Sequence, residues 1–195
     1  MLKAEVLMKN AVIHVLVLVC FLSTGLEAQT VKDIDGNTYP TIIKDSIIWM
    51  AENLKTTRYN DGTEISLIED GQRWETTTQP AYCWLYNDKS RYNDVGALYN
   101  WYAVEIDKLC PRGWHVPSDK VYLIEAPWPG GSRGTHGSFV FTSDYTTYWT
   151  SSEESYETAY AIQVLYDGTA ANRDYTFKNR GLLVRCIKKL EPGSD

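Results

Sequence analysis

The chain has 195 residues, in which 19 lysines and arginines stand against 25 aspartates and glutamates, so its formal net charge at pH 7 is −6. This length suits one domain with a complete hydrophobic core. An acidic chain without clusters of basic residues argues against binding to nucleic acid or to anionic membrane surfaces.

Residues 1–28 are typical of an export signal. An apolar run from Ala11 to Leu22 follows Lys9, and a short polar stretch then ends at Ala28. The run is too short to span a bilayer. We therefore predict that the mature chain has no transmembrane segment and is secreted, or lies in the periplasm or cell envelope.

Cys20 offers an alternative, since a lipoprotein is processed at such a cysteine. That processing requires a small residue immediately before the cysteine, and Val19 occupies this position. We therefore favour release over lipid anchoring.

Turn-forming residues divide the first part of the mature chain into short strands. Residues 33–37 read Asp-Ile-Asp-Gly-Asn, which predicts a turn, because a calcium loop would need further oxygen ligands. Residues 38–43 and 47–50 predict a β-hairpin. Pro40 lacks a backbone donor, so we expect this hairpin at a sheet edge. Residues 66–79 show no clear period and predict a surface loop.

Two helices are predicted in the middle of the chain. Apolar residues recur at the spacing of one helical face over residues 94–105. A second helix is expected to begin after Pro117 with Ser118 as its N-cap, and it ends by Ala126 because Pro127 follows.

The last third alternates strand and turn signals. Strands are predicted at 160–165, 174–177 and 182–187, which together would form an antiparallel meander. The tail, residues 190–195, is predicted to be disordered. Short helices beside an antiparallel sheet give one α+β domain over residues 31–189.

Three segments resemble the Fibrobacter succinogenes major paralogous domain, a bacterial cell-envelope domain. They are Leu-Cys-Pro-Arg-Gly-Trp-His-Val-Pro-Ser-Asp at 109–119, Tyr-Trp-Thr-Ser-Ser-Glu at 148–153 and Gly-Leu-Leu-Val-Arg-Cys at 181–186. The resemblance implies an architecture and a location but no reaction or ligand. The order of elements is also similar to the C-type-lectin-like fold, which formylglycine-generating enzymes share, so we expect short helices on an antiparallel sheet with a C-terminal meander.

The chain departs from this family's pattern after Asp119. Family members usually continue with a small residue, Glu and Trp, where this chain has Lys120, Val121 and Tyr122. The domain is also shortened near residues 123–128. The result is either a trimmed but folded variant or a degenerate paralogue that has lost its function.

The resemblance also implies a disulfide. Cys110 and Cys186 lie in the most recognisable segments, and export permits them to pair. Cys83, between Tyr82 and Trp84, is then left as a small buried apolar residue.

The sequence predicts a binding module better than an enzyme. No residue set has the spacing of a catalytic triad or a metal site, and we expect no catalytic residues, metal or cofactor. Aromatic and charged residues in the glycine-rich segment 127–148 are the candidates for binding a glycan or an envelope protein: Trp128, Arg133, His136, Tyr145 and Tyr148. An exported enzyme of unknown reaction is the alternative.

Overall fold

The computed structural model describes residues 29–121, 130–166 and 171–190. The predicted export signal, the shortened segment 123–128 and residues 191–195 of the predicted tail lie outside the described residues. None of the helices in the described part of the chain is long and apolar enough to cross a membrane.

The described residues are mostly β-structure with a few short helices. The helices are α1 (Gly71–Thr76), α2 (Lys89–Tyr92) and α3 (Trp101–Val104), with 3-10 turns at Leu85–Asn87 and Asn93–Val95. The strands are β1 (Thr30–Lys32), β2 (Thr38–Lys44), β3 (Ile47–Met50), β4 (Ser66–Leu67), β5 (Ala81–Cys83), β6 (Leu98–Tyr99), β7 (Gly130–Arg133), β8 (Phe139–Thr142), β9 (Tyr145–Glu153), β10 (Thr158–Leu165), β11 (Ala171–Phe177) and β12 (Ile187–Lys189).

These strands form several small sheets. One has the order β1-β2-β3-β12, another β11-β10-β9, a third β4-β5-β6, and β7 pairs with β8. All of the pairs are antiparallel except β4 with β5.

The predicted β2–β3 hairpin is confirmed, but its expected place at a sheet edge is wrong. Asp45 and Ser46 form the turn with φ of 50° and 60°, and β2 lies between β1 and β3. Pro40 lies opposite Ala51, one residue beyond the end of β3, and its carbonyl accepts from Ala51 N at 2.8 Å. The missing donor therefore falls where the β2–β3 ladder has already ended.

The predicted helix over 94–105 is much shorter than expected. Gly96 has a φ of 101°, which interrupts the helical backbone. Only glycine fits at this position, because a Cβ would lie 2.7 Å from the Asn53 Cβ. The Asn100 side chain then accepts from Ala103 N at 3.2 Å and caps α3. Only residues 101–104 are α-helical, and β6 takes up residues 98–99.

Two other expectations for the middle of the chain also change. The predicted loop 66–79 contains β4 and α1, where Asp70 caps the helix through Arg73 N at 2.8 Å and Trp74 is fully buried. Residues 118–121 form a turn in which Val121 N donates to the Ser118 carbonyl at 3.0 Å. The rest of the helix predicted after Pro117 lies outside the described residues.

The meander has a different third strand from the one predicted. β10 pairs with β11 as expected, but the other neighbour of β10 is β9, and residues 182–187 do not join this sheet. We refer to residues 181–187 as the central segment, because it runs between the sheets and bonds to each in turn.

Backbone hydrogen bonds connect the central segment to most of the fold. Leu182 exchanges two of them with Tyr99 of β6, at 3.0 and 2.9 Å. Three later carbonyls of the central segment also accept hydrogen bonds. The Leu183 carbonyl accepts from Trp149 N at 2.9 Å, that of Val184 from Leu54 N at 2.9 Å, and that of Cys186 from Met50 N at 3.1 Å. Gly181 exchanges bonds with Arg133 of β7 and Ile187 with His115.

Side chains of the central segment alternate between two hydrophobic clusters. Leu182, Val184 and Cys186 pack in one cluster, and Leu183 and Ile187 pack in the other. This period of two is that of an extended strand buried on both faces.

Arg185 lies on the opposite side from Val184 and Cys186, as the alternation predicts. It is 3% exposed, and its Nη2 and Nε both donate to Asn53 Oδ1, at 2.9 and 3.2 Å. Nη2 also donates to the Tyr148 hydroxyl at 3.3 Å. A buried guanidinium is tolerated only with such acceptors, so Arg185 links three distant parts of the sequence.

The predicted disulfide is confirmed. Cys110 and Cys186 are bonded, with Cα atoms 5.9 Å apart and a sequence separation of 76. Closing a loop of this length stabilises a fold by about 4 kcal/mol in the chain-entropy model. The Cys83 thiol is free and buried, and burial raises its pKa to about 12, so it is unreactive at neutral pH.

Replacing the main acceptor of Arg185 should destabilise the protein. Asn53→Ala removes the two bonds to Asn53 Oδ1 and also the Asn53 Nδ2 bond to the Val95 carbonyl at 2.8 Å. We expect the free energy of unfolding to fall by roughly 2–4 kcal/mol in urea denaturation. Asn93→Ala is the matched control, because its side chain has only a 3.5 Å contact with Asp94. Equal stability of the two variants would contradict the role assigned to Asn53.

Candidate functional site

The predicted binding residues do not form one surface. Arg133 is 1% exposed, and it donates to three backbone carbonyls, those of Ile68 (2.5 Å), Glu69 (2.7 Å) and Gly137 (3.1 Å). Its guanidinium also lies over the Trp74 ring, 4.6 Å from the centroid. Arg133 therefore holds α1 and the β7–β8 hairpin together, instead of facing solvent.

Tyr148 is likewise interior, since it is 4% exposed and contacts Arg185. His136 is exposed in the β7–β8 loop, with its Nδ1 2.6 Å from Glu75 Oε1. Trp128 lies outside the described residues. Of the five residues, Tyr145 alone lines one of the open cavities described below.

That cavity lies on the β9–β10–β11 sheet and has a volume of about 500 Å³. Polar side chains line most of it, and we call it the polar cavity. Its lining residues include Tyr145, Thr147, Gln163, Asn172, Asp174, Thr176 and Arg180.

Strand register explains why these side chains converge. Gln163 of β10 lies opposite Thr147 of β9 and Asn172 of β11, so the three form a row across the sheet. Asp174 is opposite Ala161 in the next row. Residues directly opposite each other on neighbouring strands share a face of the sheet, which brings Thr147, Gln163 and Asn172 together in the polar cavity.

The side chains of this row and of Tyr145 have unused hydrogen-bonding groups. In the described part of the chain, the side chains of Tyr145, Thr147, Gln163 and Asn172 make no hydrogen bond, although Gln163 is half-buried. Two amides and two hydroxyls are therefore free to bind a ligand.

The polar cavity is lined by two cations, Arg173 and Arg180, and by one anion, Asp174, and Arg180 and Asp174 are not paired with each other. Arg180 Nη1 donates to Thr176 Oγ1 at 3.4 Å, and its Nε is buried without a partner among the described residues. Asp174 accepts from the backbone N of Tyr175 at 2.8 Å. Neither residue forms a salt bridge within the residues that the structure describes.

Asp119 holds β11 through Arg173. Its carboxylate accepts from Ser152 Oγ and Arg173 Nε, both at 2.6 Å. The Arg173 guanidinium also lies 3.6 Å from the centroid of the Tyr160 ring. The Ser152 hydrogen bond, followed by that of Arg173, lowers the pKa of Asp119 below its ordinary value. Asp119 thus fixes the outer strand that carries half of the polar cavity.

A second open cavity, of about 560 Å³, contains both His115 and Ser151. No motif in the sequence pairs these two residues. Within the described ranges no hydrogen bond joins their side chains, and no carboxylate is bonded to the imidazole. A serine nucleophile needs both contacts.

Three carboxylates that an enzyme site could use, Glu52, Asp88 and Glu153, make structural contacts instead. Asp88 caps α2 and its pKa is lowered by a hydrogen bond from Ser90. Glu52 pairs with Lys55 at 2.9 Å, and Glu153 pairs with the buried Lys178. No group of three or more His, Cys, Asp or Glu in the described ranges is arranged to hold a metal.

One comparison with known proteins found a match. Residues 45–124 match the family model of the Fibrobacter succinogenes major domain, which confirms the resemblance found in the sequence. No curated protein and no solved structure matches the chain.

The contact between Asp119 and Arg173 should depend on pH. Because the folded protein favours the charged carboxylate, this interaction adds stability above the ordinary pKa of 3.8 and loses it as the pH falls below that value. Asp119→Asn should lower the free energy of unfolding by about 1 kcal/mol at pH 7. The difference should shrink in denaturation curves recorded below pH 3.8.

Asp94→Asn is the control for this measurement, since Asp94 is exposed and has only a 3.5 Å contact with Asn93. A deficit of Asp119→Asn that is the same at pH 7 and at low pH would show that the carboxylate charge is not what holds Arg173.

Proposed function

We propose that this chain, which carries a Fibrobacter succinogenes major domain, is an exported, non-catalytic module that binds a glycan in the polar cavity. The observation that carries the proposal is the row of unpaired amides and hydroxyls from three adjacent strands. Their spacing is fixed by the sheet register, so the donors and acceptors are preorganised for a ligand.

The chemistry of the row suits sugar hydroxyls. The Gln163 and Asn172 amides each offer a donor and an acceptor, as a sugar hydroxyl does. Tyr145 adds an aromatic ring with a polar tip, which gives contact area as well as a hydrogen bond. A largely apolar ligand would leave these groups unpaired and would be disfavoured.

Location and architecture are parts of the same proposal. The disulfide is compatible with an extracellular or periplasmic environment, which supports the predicted export. The antiparallel β9–β11 sheet and the short helices support a C-type-lectin-like architecture by analogy, although a fold does not carry a function.

The absence of catalysis is also proposed. Ser151 and His115 share a cavity but are not hydrogen-bonded to each other in the described residues. The signature residues Arg185 and Cys186 have structural partners. An enzyme would need titratable groups that converge on a substrate.

A glycan array tests the proposal. The purified chain should bind at least one glycan, and Gln163→Ala and Asn172→Ala should each weaken that binding about tenfold, because each removes a donor and an acceptor. Gln72→Ala, which alters an exposed residue of α1, is the matched control and should leave affinity unchanged. An array without any bound glycan, or equal loss in all three variants, would contradict the proposal.

The β7–β8 hairpin favours a second candidate, the binding of an envelope protein. Phe141 and Val140 of β8 are 45% and 46% exposed, and Tyr86 nearby is 47% exposed. Phe139 lies 5.5 Å from Tyr86 between ring centroids, and Phe141 lies 6.2 Å from Tyr92. Exposed aromatic groups of this kind occur at protein interfaces.

Cross-linking in an envelope extract tests this second candidate. Phe141→Ser should abolish the capture of a partner, whereas Phe177→Ser, which alters a residue on β11 that is 53% exposed, should not. Capture that survives both substitutions would count against the hairpin as the binding surface.

A further inference from the structure

The charges in the polar cavity carry an inference about the ligand. We propose that its ligand is an acidic glycan, whose carboxylate binds to Arg180 while its hydroxyls bind to the amide row. This inference rests on the proposed glycan-binding function and deepens it.

Arg180 is the cation of the cavity that lacks a strong partner. The bond to Thr176 Oγ1 is long, at 3.4 Å, and no carboxylate in the described residues lies within salt-bridge distance of the guanidinium. The other arginines that have been described here differ: Arg173 pairs with Asp119 at 2.6 Å, and Arg133 is saturated by carbonyls. Of the two arginines that line the polar cavity, Arg180 is thus the one without a carboxylate partner among the described residues.

The position of Arg180 is fixed by the backbone. Its N donates to the Phe177 carbonyl at 3.0 Å in the turn after β11, and Gly181 at once begins the central segment. This turn folds the side chain back toward Thr176 on the cavity face. A guanidinium held in this way is preorganised to bind a carboxylate through a fork of two donors.

Asp174 limits how much negative charge the ligand can carry. Its carboxylate faces the same cavity and would repel an acidic ligand if the two approached closely. The ligand must therefore place its carboxylate at Arg180 and a hydroxyl at Asp174. This arrangement distinguishes a glycan with isolated carboxylates from a densely charged polyanion, for which Asp174 is a barrier.

Paired oligosaccharides test the inference. The probes are uronic-acid oligosaccharides and the same oligosaccharides with each carboxyl reduced to a hydroxymethyl group, measured against the purified chain by calorimetry. Reduction should weaken binding to the wild type about tenfold or more. Arg180→Gln should bind both forms with the same, weakened affinity, because the charge that separates them is gone.

Asp174→Asn provides an independent test that does not depend on the folding of the Arg180 variant. It should tighten binding of the acidic form about threefold and leave the reduced form little changed, since only the repulsion is removed. Thermal unfolding of each variant establishes that the sheet is intact.

Each outcome decides a different claim. Binding of the reduced and acidic forms with equal affinity by the wild type would overturn the inference while leaving glycan binding in place. Binding of the acidic form that is insensitive to Arg180→Gln and Asp174→Asn would also overturn it, because the carboxylate would then lie elsewhere. An absence of binding by every acidic and neutral glycan would overturn both this inference and the proposed function.

Discussion

The fold depends on the backbone of residues 181–187, which is bonded on both sides to other parts of the chain. Tyr99, Trp149, Leu54, Met50 and His115 all satisfy a peptide group of this segment. A buried extended segment must find a partner for nearly every N–H and C=O. The positions of β3, β6 and β9 relative to one another are therefore set by the same seven residues.

The same segment explains why the most recognisable sequence motifs are structural. The alternation of Val184, Arg185 and Cys186 sends an apolar side chain, a cation and a disulfide sulfur to different partners. Arg185 requires Asn53 as an acceptor, and Cys186 requires Cys110. Segments that are far apart in the sequence are thus joined by a hydrogen bond and a disulfide as well as by packing. A signature of this kind identifies the scaffold without locating a ligand.

The sequence predicted those features that local patterns or the family resemblance determine. The β2–β3 hairpin followed from its turn residues, and the disulfide followed from the two signature segments. The predicted length of the helix at 94–105 was wrong because Gly96 and Asn100 interrupt the helix. The apolar pattern of these residues suits a buried strand equally well. Pairing of residues 182–187 could not be predicted, because their partners are distant in the sequence, as Met50 is from Cys186, and no local signal marks them.

The candidate site was only partly accessible to sequence reasoning for a related reason. Arg133, in a glycine-rich segment, has the composition of an exposed loop residue, yet carbonyls from a distant loop and the Trp74 ring enclose it. The polar cavity did have a signal in composition, because β11 is polar at positions 172, 173, 174 and 176, but Arg173 breaks the alternation that could have assigned a face. The face of the sheet on which they lie becomes evident only from the register with β10 and β9.

The polar cavity and the hydrophobic clusters use different side chains of the same strands. Ile162 and Val164 of β10 pack in the interior, whereas Gln163 between them lines the cavity. Asn172 and Asp174 are exposed and belong to neither cluster. Apart from Ala161, which also packs in a hydrophobic cluster, the lining of the cavity can therefore be substituted without repacking the interior. One scaffold of this kind is able to support many ligand specificities, and these positions are the natural ones to randomise in a selection for new binders.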